Sequence, residues 1–326
     1  MRNIFFIFIA FLLNIGLSFA QTCDLGTRPS VTFILGEDQS DSFYTLAKQY
    51  YLTDREAQTD YFVDTCRSLV GVRNFLAAQG LENGQTWGQI NLVLHSNQWT
   101  GMSIPVLPNG NRTSVSTLFA HIQEEQFLPL ADEMMDVNTK MNFVSCGLGK
   151  NKDLLYALQL AFGGFDEQQP SVESSENFVY FTYDDRQKIE STNLKPFYAF
   201  YKTAYKPADL HLQKQLQNRY PNIPIDWLAA MQLEQAEKEG DVFHTRFNVP
   251  IVWDVALEIP ADRVSIESEF DKIEFVRAQE DLMEVLHKFD IPIEKFRWQM
   301  SVTEKAGVAQ VKIKGKSTVL CVLAEI

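Results

Sequence analysis

The chain alternates between short continuous apolar runs and longer stretches whose apolar residues recur every three or four positions. "SVTFILG" (30–36), "TDYFVDT" (59–65), "GQINLVLHS" (88–96) and "KMNFVSC" (140–146) are of the first kind and read as strands, the continuous runs as strands buried on both faces. Between and after them stand "SDSFYTLAKQYYL", "SLVGVRNFLAAQG", "TSVSTLFAHIQEEQF" and "KDLLYALQLAFGG", all read as helices. Gly80 and the Gly163–Gly164 pair mark helix stops, and Thr113 or Ser114 caps the third helix. "GMSIPVLPNGN" (101–111) reads as a short strand closed by a Pro-Asn-Gly turn, and "NFVYFTY" (177–183) as a fifth strand. Strands alternating with helices at this spacing predict an α/β fold, a mostly parallel sheet with helices on both faces. Ligands of such sheets sit beyond the carboxyl ends of the strands. His95 and Cys146 both fall there.

The pattern changes further on. Residues 191–240 read as mainly helical, broken by "YPNIPIDW", with Phe197, Phe200, Tyr201 and Tyr205 at helical spacing as core residues. From 241 come "VFHTRFNVPIVWDVALEI", the helix "AQEDLMEVLHKF" and two alternating stretches. These predict a C-terminal β-α-β-β module, either a second domain or an extension of the first sheet. The divisions are therefore 1–20, 21–240 and 241–326.

The first segment is a leader. A basic Met1-Arg2-Asn3 start, the apolar "IFFIFIAFLLNIGL" and small residues in "LSFA" read as a secretory signal cut after Ala20. No later stretch approaches the roughly 20 apolar residues a bilayer-spanning helix needs. The expected product is exported, periplasmic or extracellular, and soluble, with about 306 residues available for a sizeable core.

Charge and composition then remove several classes of function. A net charge of −13 without an offsetting Lys/Arg run argues against nucleic acid. Four cysteines, Cys23, Cys66, Cys146 and Cys321, are too few and scattered for a stapled fold, though one bridge fits an exported chain. The histidines lack metal-ligand spacing, so no metal is expected. "CGLGK" misses both phosphate-cradle patterns, no G-x-S-x-G occurs, and no cofactor is expected. Asn111-Arg112-Thr113 is a glycosylation sequon if the chain is eukaryotic.

Cys146 remains as the residue with chemistry to offer. It reads as a buried apolar residue, half of a disulfide, or a nucleophile. A strand end would project it, and the amides of the following helix would stabilise its thiolate. Gly147 and Gly149 would let a substrate approach, and the Cys146 amide would donate to an oxyanion.

"NLVLHSNQWTGMSIPV", followed 51 positions after His95 by "NFVSCGLG", resembles the caspase–gingipain–clostripain superfamily of cysteine peptidases, CHAT-type domains included. The resemblance covers residues 30 to about 185. It implies a caspase-like three-layer sandwich in which a His ends one parallel strand and a Cys ends the next. It further implies Cys146 as nucleophile, His95 as general base, an oxyanion hole of backbone amides at Ser96 and at Cys146–Gly147, and a peptide or protein substrate. The chain departs from the pattern at Ser96, where many members have Gly, and at Gly147 and Gly149, which miss the local caspase glycine. Two functions follow: an exported cysteine peptidase, or a catalytically inactive relative that binds or interacts.

Overall fold

The computed structural model describes residues 28–39, 41–83, 86–131, 133–164, 169–233 and 242–325; the leader and Cys23 lie outside the described residues. In chain order the first half runs β1 (Val31–Ile34), α1 (Phe43–Thr53), β2 (Tyr61–Val63), α2 (Leu69–Asn83), β3 (Gln89–Val93), β4 (Ser96–Asn97), β5 (Gly101–Pro105), β6 (Arg112–Thr113), α3 (Val115–Gln123), β7 (Lys140–Val144), α4 (Lys152–Gly163) and β8 (Ser171–Ser174). The second half runs β9 (Phe178–Tyr183), β10 (Ile189–Lys202), α5 (Asp209–Arg219), α6 (Trp227–Gln232), β11 (Val242–Leu257), α7 (Glu269–Arg277), α8 (Glu280–Phe289), β12 (Arg297–Lys305) and β13 (Val308–Ala324).

The first half is α/β, as the alternation predicts. The five strands of its main sheet are all parallel, in the order β2-β1-β3-β7-β8, and β4, β5 and β6 form a small antiparallel sheet beside it. Val31, Phe33, Ile90, Leu92, Met141 and Phe143 form one face and pack against α2, α3 and α4. Ile34, Val93 and Val144 form the other, under α1 and Phe181 of β9. With both faces covered, the central strands are mostly apolar on both sides, which is why they read as short apolar runs, each with a single Thr or Asn inside it. Ser114 caps α3 by accepting from Thr117 N, within a reciprocal capping box.

Three expectations need correcting. The fifth parallel strand is β8, whose sequence "SVES" carries one apolar residue; Phe178–Tyr183 instead joins an antiparallel sheet. Gly80 does not stop α2, which continues to Asn83. Of the stretch read as a helix around 196–205, residues up to Lys202 belong to the strand β10, and Tyr205, read as a core residue, lies beyond it and is exposed. The strand's odd residues Phe197, Ala199 and Tyr201 face α5 and α6, while Tyr198 and Phe200 face α7 and α8. A strand buried on both faces always contains some residues at helical spacing, and here those residues misled.

The antiparallel sheet runs β11-β13-β10-β9, with β12 beside the first half of β13. β13 pairs with β12 through Lys316 and with β10 from Ser317 onward, while β11 follows it throughout. The segment from 242 thus pairs with strands that precede residue 240, an extension by a second sheet and not of the first. No helix among the described residues is long and apolar enough to cross a membrane.

The first described residue is tied down by charge. Arg28 donates two hydrogen bonds to the Asp136 carboxylate, at 2.7 and 2.9 Å, and both side chains are mostly shielded. The Arg28 bonds hold the Asp136 carboxyl below its ordinary 3.8, against the opposing effect of burial. A lowered carboxyl pKa stabilises the fold above about pH 4, and that contribution fades as the pH falls through the lowered value. Asp136→Asn is therefore expected to cost about 1 kcal/mol at neutral pH after solvent screening. Urea midpoints of the two proteins should converge in acid; a gap that persists there would assign the effect to packing.

Candidate active site

β3 and β7 are neighbours, so His95 and Cys146, each two residues past its strand, emerge at the same end of the sheet. The His95 amide donates to the Tyr44 hydroxyl at 3.1 Å, and its carbonyl accepts from Ser103 N at 2.8 Å. The imidazole lies against Phe43 and Tyr44, with ring centroids 4.6 and 4.8 Å away. Its Nε2 stands 3.6 Å from the Asp41 carboxylate. Burial pushes the His95 pKa down from 6.5, with Asp41 and then Asp38 opposing, so the ring is neutral at pH 7.

Cys146 is held differently. Its carbonyl accepts from Ser96 Oγ at 2.9 Å, and its Sγ donates to the Val179 carbonyl of β9 at 3.6 Å. Cys146 is partly buried and packs against the core under the antiparallel sheet, the cluster that contains the fully buried Cys321. Burial pushes the Cys146 thiol up to about 12; the Val179 bond opposes this and the Asp41 charge adds to it. Cys66, Cys146 and Cys321 are all free thiols. No hydrogen bond joins Cys146 to His95 among the described residues. The structure brings the two to one sheet end but not into a dyad.

The expected activation by a following helix is also absent. α4 begins at Lys152, its cap is Asn151, and a tight turn (148–150) separates it from Cys146. The amides in between serve the crossing chain: Gly147 N donates to Asn177 O and Gly149 N to Ser175 O, both at 2.9 Å. The Gly147 amide is therefore not an oxyanion donor, which corrects that assignment. The Cys146 amide has no hydrogen-bond acceptor among the described residues. Ser96 and Met102 form a non-hydrogen-bonded pair, because Ser103 donates to His95 on the adjacent rung, so β5 does not use the Ser96 amide. These two donors are present, but the sulfur they would serve points into the core.

A roof lies over this end of the sheet. Trp99 packs against Tyr198 and Phe247, and its indole N–H donates to Phe289 O at 2.7 Å. Lys150 lies over the Tyr198 ring, and Lys288 of α8 pairs with Asp153 of α4 at 2.9 Å. The usual ligand end of a parallel sheet is thus occupied by the protein's own second sheet around Cys146.

Sequence reasoning missed Asp41, whose charge reaches His95, Tyr44, Cys146 and Tyr180. The signal was available in "GEDQSD" (36–41), which places carboxylates just past β1 at the same sheet end as the histidine. No group of three or more metal-ligating side chains occurs among the described residues. Comparisons with protein-family models, curated proteins and solved structures found no match.

Proposed function

We propose that the chain is an exported, non-catalytic binding protein built on a caspase-like α/β domain. The caspase-like part of this reading is supported by His95 and Cys146 at the ends of adjacent parallel strands, and export by the leader pattern in residues 1–20. The observation that carries the loss of catalysis is the Cys146 thiol, bonded to Val179 O beneath the second sheet. A thiol with a pKa of about 12 is ionised on the order of once in 10⁵ molecules at pH 7. A cysteine peptidase needs that thiolate beside an imidazole. Here the imidazole is turned to Asp41 instead.

Alkylation of the folded, reduced protein tests this by mass spectrometry, with the partly buried Cys66, whose thiol lies outside the second sheet's core, as internal comparator. Cys146 is expected to label far more slowly than Cys66 at pH 8, and to label fully once the protein is unfolded. Rapid labelling of Cys146 at pH 6, slowed by His95→Ala, would restore the peptidase reading.

A further inference from the structure

Three strands of the parallel sheet each interrupt an apolar run with one polar side chain, and the register sets the three in a row. Thr32 lies opposite Asn91, and Asn91 opposite Asn142. Thr32 is 0% and Asn91 2% exposed. A buried amide or hydroxyl costs about 1–3 kcal/mol unless it is bonded, so the two buried ones at this register, beside the partly buried Asn142, call for a cause. The row satisfies itself only in part. Asn91 Nδ2 donates to Thr32 Oγ1 at 3.2 Å, and Gln89 Nε2 donates to Asn91 Oδ1 at 3.0 Å. The bond from Asn142 Nδ2 to Asn91 Oδ1 is long, at 3.5 Å. One Asn91 amide hydrogen and the Asn142 Oδ1 have no partner among the described residues.

A cavity of about 240 Å³ accounts for what is left over. It opens at the amino end of the sheet, away from Cys146, with Asn91 and Asn142 in its floor and Tyr50 and Tyr51 in its wall. Tyr51 is 9% exposed as a residue, but its hydroxyl has no hydrogen-bond partner among the described residues and is open to the cavity.

We propose that this cavity is a binding site for a neutral polyhydroxylated ring, either a free monosaccharide or the terminal sugar of a glycan. The lining selects that class. It includes no Lys, Arg or His to hold an anion, and a single carboxylate, Glu56, which is too few for a metal ion. Its polar groups are amides and hydroxyls, each able both to donate and to accept, as a sugar hydroxyl does. The volume lies below the roughly 300–1,000 Å³ of sites for drug-sized ligands, so it suits one ring and not a chain of them.

The inference rests on the binding role proposed above, but the site does not involve Cys146. The test titrates glucose, galactose, mannose, N-acetylglucosamine and their methyl glycosides into the protein, with NMR of the side-chain amides as readout. One sugar is expected to shift the Asn91, Asn142 and Gln89 amides saturably. Binding of the methyl glycoside as well marks a glycan terminus, and binding of the reducing sugar alone marks a free monosaccharide. Tyr51→Phe, which removes only a hydroxyl, should weaken binding about five-fold, and Asn142→Ala about ten-fold. Unmoved amides for every sugar, or affinity unchanged in both variants, would overturn the site. Should Asn142→Ala fail to fold, Tyr51→Phe carries the test alone. Fast labelling of Cys146 together with shifted amides would overturn the non-catalytic reading and leave this site standing. Slow labelling with unmoved amides would do the reverse.

Discussion

Replacing Trp298 by Ala is expected to lower stability by about 3–5 kcal/mol, which is a large share of what holds a domain folded. Trp298 is 1% exposed and stacks on Phe296 at 5.0 Å. Its indole N–H donates to Ile293 O at 3.0 Å, so truncation also removes a buried hydrogen bond and leaves that carbonyl only the 3.3 Å bond from Phe296 N. Gly315 of β13 lies flat against the ring: a Cβ there would meet it at 2.4 Å. The indole therefore fills the space beside the point where β13 leaves β12 and takes up β10. Neighbouring side chains cannot collapse into that space without moving the strand. Urea denaturation should show the loss as a lower midpoint at nearly unchanged slope. The same measurement on Val302→Ala, at 36% exposure on the outer part of β12, should show a change within about 0.5 kcal/mol. Equal effects at the two positions would mean that the bend of β13 does not depend on this contact.

The contrast between these positions shows which features the sequence exposes. β1, β3 and β7 were legible because burial on both faces makes a strand a short apolar run, bounded by helices with clear caps and glycines. Residues 196–201 of β10 are buried just as completely, but the strand is 14 residues long and rich in aromatics, and length is what normally separates a helix from a strand in such a run. β8 was invisible because it sits at the sheet edge, where "SVES" needs backbone partners more than apolar side chains. The positions of His95 and Cys146 at strand ends could be read, since both follow from the β3–β7 pairing. The state of the sulfur could not. It is set by burial against the second sheet, by the Val179 carbonyl 33 positions away and by the Asp41 charge, and only the folded chain brings them to it. The polar row had a visible trace in "VTFI", "QINLV" and "KMNFV", where one Thr or Asn breaks each apolar run. Only the register, which places the three side by side, turns that trace into a site.

Gly149→Ala should both destabilise the protein and uncover Cys146. A Cβ at Gly149 would sit 2.3 Å from Ser174 O, 2.8 Å from Ser175 C and 2.9 Å from Glu176 N. All three are backbone atoms, so no side chain can swing aside and the 174–176 segment itself must shift. That shift breaks the bond from Gly149 N to Ser175 O and strains the one from Gly147 N to Asn177 O. Overpacking of this kind costs about 1–3 kcal/mol. The displaced segment leads directly into β9, whose Val179 carbonyl accepts from the Cys146 thiol. Opening over the sulfur becomes easier by part of that cost, and each 1.4 kcal/mol raises the open population about ten-fold. Cys146 labelling at pH 8 should therefore accelerate by about ten-fold while Cys66 labelling stays unchanged. Gly147→Ala is the matched control. Gly147 has φ +67°, which costs an alanine about 1 kcal/mol, but the nearest atom to a Cβ there is on the Phe178 ring at 3.6 Å, so the 174–176 segment stays in place. Faster labelling in Gly149→Ala alone locates the barrier to Cys146 chemistry in the docking of this segment. Equal acceleration in both variants would show that destabilisation, wherever it arises, is enough to expose the thiol.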